Sequence, residues 1–217
     1  MAMARPYSMT RRAERQAETR QRIVEAAVEL HGSIGPARTT FSLVADRAGV
    51  KRHTLYAHFP DERSLHMACS ALTLARDPLP DAAAWRSARA GWERLRLGLV
   101  AVYGWYGRNA DLAACVLRDG EVHEVTRETI EIRMRPSILL WQEVLGEGMG
   151  RRQQAMLQLM LGFPAWRSLV RESDLAPEEA TDVALSAIEQ AGPRADPDQA
   201  ESPDRVKMLA GTTAGVA

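Results

Sequence analysis

The chain has 217 residues, 46% of them hydrophobic, and its 28 basic and 28 acidic side chains cancel to a formal net charge of zero. That size and apolar share suffice to bury a substantial core, in one domain of ordinary size or in two small ones. No apolar run approaches the roughly 18 residues that span a bilayer, and the N-terminus turns charged at Arg11 and Arg12 where a secretory leader would turn apolar; the expectation is a cytoplasmic protein with no membrane partner.

In chain order, residues 1–10 read as a mobile arm. Ile23, Ala26, Ala27 and Leu30 then recur at helical spacing within a Gly-free stretch from Arg11 to His31. Gly32, Gly35 and Pro36 end that first helix. Thr39 or Thr40 can cap a second, Phe41–Ala48, which Gly49 stops. A third helix is expected over Arg52–His58, closed by Pro60 and Asp61, and a fourth over Glu62–Ala75. The run DPLPD at 77–81 marks a domain boundary. Beyond it come helical stretches with no alternating strand pattern: 82–108, 110–118, 121–147, 151–172 and 177–191. Pro136 and Pro164 should kink or interrupt two of these, whereas Pro177 suits a first helical position ahead of Glu178 and Glu179. The fold class is therefore all-α. The expected organisation is an arm and helix-turn-helix domain over 1–76, a helical ligand-binding and dimerisation domain over 77–192, and a disordered tail over 193–217, where Pro, Asp, Ser, Gly and Thr mix without an apolar face.

The neutral total hides a segregated distribution. Residues 1–66 hold eleven Arg or Lys against seven acids, a net of +4, so the remainder carries −4. Three short helices with a tight turn at Gly49 between the second and third describe a helix-turn-helix, whose third helix enters the major groove when such a unit binds DNA. Many three-helix units bind nothing, and the basic bias is what favours DNA here.

From Gly35 to Leu65 the residues read G-x-x-x-T-T-F-x-x-V-A-x-x-A-G-V-x-x-x-T-L-Y-x-H-F-x-x-x-x-x-L. This closely resembles the signature of TetR-family (tetracycline repressor) transcriptional regulators, over roughly residues 20–70. The resemblance implies a homodimer on double-stranded, palindromic operator DNA, released by a small-molecule effector. It also implies that Thr40, Tyr56 and His58 hydrogen-bond phosphates, which positions without reading sequence. Lys51, Arg52, His53 and Thr54 would stand at the groove entry, with Arg52 as base reader through a bidentate pair to guanine. The plainer readings are a cap for Thr40 and packing at the domain edge for Tyr56 and His58. Phe41, Val44, Ala45, Ala48, Val50, Leu55, Phe59 and Leu65 read as the small core of this domain.

Two positions depart from the family pattern. Lys51 replaces a Ser-like cap, so the third helix is expected to start at Thr54 or to fray. Glu62 stands where a Lys phosphate contact is usual, with Arg63 as a substitute.

For the effector, Trp92, Tyr103, Tyr106, Met134 and Trp141 supply aromatic and soft apolar surface in the central helices, although at helical spacing ordinary core accounts for them as well. Arg133, Arg135 and Glu131 beside Pro136 could orient a polar group or be solvated. The last two helices, rich in Met156, Leu159, Met160, Leu169 and Val170 around their circumference, suit a dimer bundle. No GxSxG, phosphate loop, HExxH or Cys/His metal set is present, and Cys69 and Cys115 have no ligand spacing. The expectation is therefore no enzyme, no metal and no cofactor. The competing reading is a helical protein-interaction module with a TetR-like fold and little DNA affinity.

Overall fold

A computed structural model describes residues 5–192, with side chains from residue 11. The tail expectation for 193–217 lies outside the described residues. Twelve α-helices are present among them, and no strand: α1 Arg5–Ser33, α2 Phe41–Ala48, α3 Arg52–His58, α4 Glu62–Arg76, α5 Ala82–Trp85, α6 Trp92–Arg108, α7 Ala110–Gly120, α8 Glu124–Arg133, α9 Arg135–Leu145, α10 Arg151–Met160, α11 Phe163–Trp166 and α12 Pro177–Gln190.

The first four helices close around their own core, in which Ile23, Val44, Leu55, Phe59 and Leu65 are all but sealed from solvent. Local chemistry explains each boundary. Thr40 has extended backbone, and its hydroxyl oxygen accepts the Leu43 N–H at 3.3 Å, so it is Thr40 and not Thr39 that caps α2. Gly49 sits at φ 64°, ψ 38°, a left-handed position that costs a side chain about 1 kcal/mol or more, and Val50 then turns its N–H back to Ala45 O at 2.9 Å. Asp61 caps α4 by accepting the Ser64 N–H at 2.7 Å.

Three sequence expectations are corrected in their bounds, and the interruptions expected at Pro136 and Pro164 are both present. Helix α1 begins at Arg5, so part of the segment read as an arm is helical. The stretch 82–108 divides into α5 and α6, because Gly91 takes φ 94° ahead of Trp92. In 121–147 the helix starts only at Glu124, after an extended His123, and breaks at Met134 so that Pro136 falls in the first turn of α9. Pro164 likewise opens α11, after Gly162, and the backbone continues through π-type turns at Arg167–Glu172.

The second core gathers α5, α6 and α9–α12, with Leu95, Leu99, Val102, Trp141, Leu157 and Ile188 buried at its centre. Helix α6 runs through it and packs along α12. The two cores are joined by α1 and α4 lying against α7 and α8.

At that junction Gly35, at φ 93°, brings the backbone so close to Arg118 and Asp119 that a Cβ there would overlap both side chains. The Asp119 carboxylate accepts the Ala37 N–H at 2.9 Å and an Arg118 N–H at 2.8 Å, and Arg118 also donates to Ile34 O at 3.3 Å. Burial alone would raise the Asp119 carboxyl, but these partners hold it below the usual carboxylate range.

Candidate functional site

The second and third helices build the outward face. Leu55 and Phe59 anchor α3 in the small core, which leaves Lys51, Arg52, His53 and Tyr56 exposed and Thr54 and His58 half-buried. Helical period turns His53 and Tyr56 away from the inner stripe of 55 and 59, whereas Arg52, three residues before Leu55, shares that side and is exposed in the first turn of the helix. Tyr56 packs its ring on Phe41 at 5.1 Å and is exposed, as is the cap residue Thr40. Lys51 offers no side-chain cap, yet α3 starts at Arg52 and not at Thr54. The Lys51 carbonyl accepts both the Thr54 and the Leu55 N–H, and burial of Leu55 holds the turn. Helix α1 supports the unit from behind, with the Arg20 guanidinium over the Phe59 ring at 4.7 Å and Glu29 paired with Arg47 at 2.6 Å.

Arg63 does not face outward as a substitute phosphate contact. It donates to both oxygens of Glu128 on α8 at 2.9 Å, and so ties α4 to the second core. Glu62 turns the same way. One of its carboxylate oxygens lies 3.3 Å from His123 Nε2 and 3.5 Å from His66 Nε2.

Behind this pair sits a group that sequence reasoning missed. His31 from α1, His66 from α4 and His123 at the start of α8 lie in series, with ring centroids 4.8 Å and 5.7 Å apart. Burial lowers the His31 imidazole to about 3, helped by His66, and lowers His66 to about 4, helped by His123. Both are neutral at physiological pH. Their spacing of 35 and 57 residues carries no local signal, so only the tertiary fold assembles them. Among the described residues no set of three or more His, Cys, Asp or Glu could hold a metal ion.

A cavity of about 90 Å³ opens beside His31 and His66, between α1, α4, α7 and α8 with Trp105 of α6 at its edge. Of the five side chains expected to meet an effector, only Met134 lines it. Trp92 lies 43% exposed at the start of α6. Tyr103 and Tyr106 are buried and donate their hydroxyls to Met160 O and Leu161 O, both at 3.0 Å, and Trp141 donates its indole N–H to Pro80 O at 2.8 Å. Their polar atoms are thus spent on the backbone, which makes these residues core. Burial raises both tyrosine hydroxyls well above their ordinary range. The basic pair near Pro136 divides: Arg135 meets Glu131 on the surface at 3.2 Å, whereas Arg133 lines the cavity. Cys69 also lines it. Burial pushes its thiol up to about 12, and Cys69 and Cys115 are both free.

Residues 23–68 match the family model described as "Bacterial regulatory proteins, tetR family". No curated protein matches the chain in sequence. Solved structures share its fold. A TetR-like transcriptional regulator from Rhodococcus sp. RHA1 is 18% identical, with a TM-score of 0.60 over 79% of this chain and 94% of its own. The transcriptional regulator FadR from Bacillus subtilis, in complex with stearoyl-CoA, is 16% identical, with a TM-score of 0.57 over 81% of this chain and 99% of its own. The multidrug binding protein EbrR complexed with imidazole is 17% identical, with a TM-score of 0.52 over 82% and 97%.

Proposed function

We propose that the chain, whose residues 23–68 match the tetR family model, is a TetR-family repressor that binds a palindromic operator as a homodimer and leaves it when a small molecule occupies the helical domain over 77–192. The observation that carries this is α3: seated on buried Leu55 and Phe59, it exposes Lys51 and Arg52 at its start and His53 and Tyr56 along its outer side, with no acidic residue in the helix. Lys51, Thr40, Tyr56 and His58 hold phosphates, while Arg52, with His53 and Thr54 beside it, reads base edges. Dimerisation joins α10 and α12 to their copies, through exposed Leu159 and Val183.

Release follows from the packing of the two cores. Arg63–Glu128, Gly35–Asp119 and the histidine series tie α1 and α4 to α7 and α8. A ligand that changes how α7 and α8 sit therefore changes where α3 is held, and a dimer grips both half-sites only while its recognition helices stay about 34 Å apart. The ligand can shift that equilibrium only by its difference in affinity for the two arrangements. FadR and EbrR, which share the fold, carry stearoyl-CoA and imidazole in their structures, which supports a ligand site here. The test is a gel shift of the full chain on its own upstream DNA over a salt series. Specific retardation that weakens steeply with salt is expected. No retardation even at low salt would overturn the reading in favour of a protein-interaction module.

A further inference from the structure

Ten arginines among the described residues have a carboxylate partner, for example Arg63 with Glu128, Arg86 with Glu143, Arg108 with Asp77 and Arg118 with Asp119. Arg133 is not one of them, and it is half-buried. Its Nε is sealed from solvent without a hydrogen-bond partner, one terminal nitrogen makes a long 3.5 Å contact with Met67 O, and among the described residues no carboxylate pairs with it. It lines the cavity between the two cores, and so does His31, which is 5% exposed and whose Nε2 is likewise buried without a partner.

The remaining wall is apolar or uncharged, including Val28, Leu74, Leu112 and Val116, and no Asp or Glu lines the cavity. A buried nitrogen without an acceptor costs about 1–3 kcal/mol, and more when it is charged, so the empty cavity holds an unmet demand for hydrogen-bond acceptance at two points on its wall. A cation finds no counter-charge there. A neutral hydrocarbon would fill the apolar space and leave Arg133 unmet. A large amphiphile exceeds the space: an apolar cavity of roughly 150 Å³ accommodates benzene, and this one is about 90 Å³.

We propose that this cavity is a binding site for a short-chain aliphatic monocarboxylate, such as propionate or isobutyrate, with Arg133 as its charge partner and His31 as a second polar contact. This deepens the ligand-released repressor reading and rests on it for its consequence at DNA, though not for binding itself. A carboxylate in the cavity also favours the protonated form of His31, so binding takes up protons as pH falls.

The test is calorimetric titration of the full-length protein, without DNA, using propionate and isobutyrate, with isopropylamine and isobutanol as cationic and neutral probes of similar size. Saturable binding of at least one carboxylate is expected, with no isopropylamine binding and an affinity at least ten-fold lower in Arg133→Gln. Val116→Phe, which fills the cavity and leaves Arg133 in place, should abolish binding and keeps the test decisive if Arg133→Gln fails to fold. Carboxylates that do not saturate, isopropylamine or isobutanol binding as well as isobutyrate, or full affinity in Val116→Phe would each overturn the assignment. Adding the operator complex separates the two claims. Isobutyrate that binds without loosening DNA upholds the site and sinks carboxylate-driven release, and DNA released by a neutral apolar compound while no carboxylate binds does the reverse.

Discussion

Gly35 shows how one position can be constrained from two directions. Its φ of 93° disfavours any side chain, and a Cβ would overlap Arg118 and Asp119. Gly35→Ala is expected to cost about 2–4 kcal/mol in urea denaturation, more than the backbone effect alone, because the Asp119–Ala37 bond must open as well. On the outward face the roles separate by chemistry. Arg52→Ala should cost roughly 1–3 kcal/mol per half-site and relax preference at one base position, since a guanidinium reads guanine through two hydrogen bonds. Tyr56→Phe removes the hydroxyl proposed to contact a phosphate and should weaken all sequences about equally. Binding measured across an operator library distinguishes the two, and an Arg52→Ala protein with unchanged affinity and preference would remove Arg52 from the base-reading role.

Among the elements, the junction of α1, α4 and α8 titrates. The buried imidazoles of His31 and His66 protonate near pH 3 and 4 in the fold, but near 6.5 once unfolded. Between those values the unfolded chain binds more protons, so stability is full above about pH 6.5 and falls as pH drops, levelling off near pH 3. Glu62, Asp119 and His123 face the same cluster. At about 1.4 kcal/mol per pH unit for each imidazole, unfolding free energies from urea titrations at pH 7.5 and pH 5 should differ by about 2 kcal/mol or more. His66→Phe should flatten that slope, and a slope left unchanged would contradict the buried, neutral assignment.

These elements also show what was legible beforehand. The boundaries of α2 and the end of α3 were, since Thr40, Gly49 and Pro60 act on their own neighbours; the start of α3 was not, because burial of Leu55 holds a first turn that Lys51 does not cap. The exposure of His53 and Tyr56 followed from helical period. The break at Gly91 and the roles of Tyr103, Tyr106 and Trp141 were not legible. In a helix-compatible stretch with glycines at 91, 98, 104 and 107, nothing local marks Gly91 as the one that takes a positive φ, and an aromatic at core spacing looks the same whether it lines a cavity or fills it. Only the hydrogen bonds to Met160, Leu161 and Pro80 decide that. Arg133 stood out in sequence for its neighbour Pro136, but its missing counter-charge exists only in three dimensions.

For the whole molecule, the claim is two-fold assembly on two-fold DNA. Deleting the chain from Arg151 is a poor test of the interface, because it also removes Leu157, Leu161, Phe163, Trp166 and Ile188 from the second core. Paired Leu159→Glu and Val183→Glu substitutions touch only exposed side chains and place like charges across the proposed bundle. Sedimentation should report about twice 24.0 kDa for the parent chain and a shift toward monomer for the double variant, with helix content unchanged. The most direct measurement is a footprint of the full chain on its own upstream DNA. Two protected half-sites related by inverted symmetry, with centres about one helical turn or 34 Å apart, are the predicted result. Uniform or absent protection at salt concentrations where the protein is a folded dimer would contradict it.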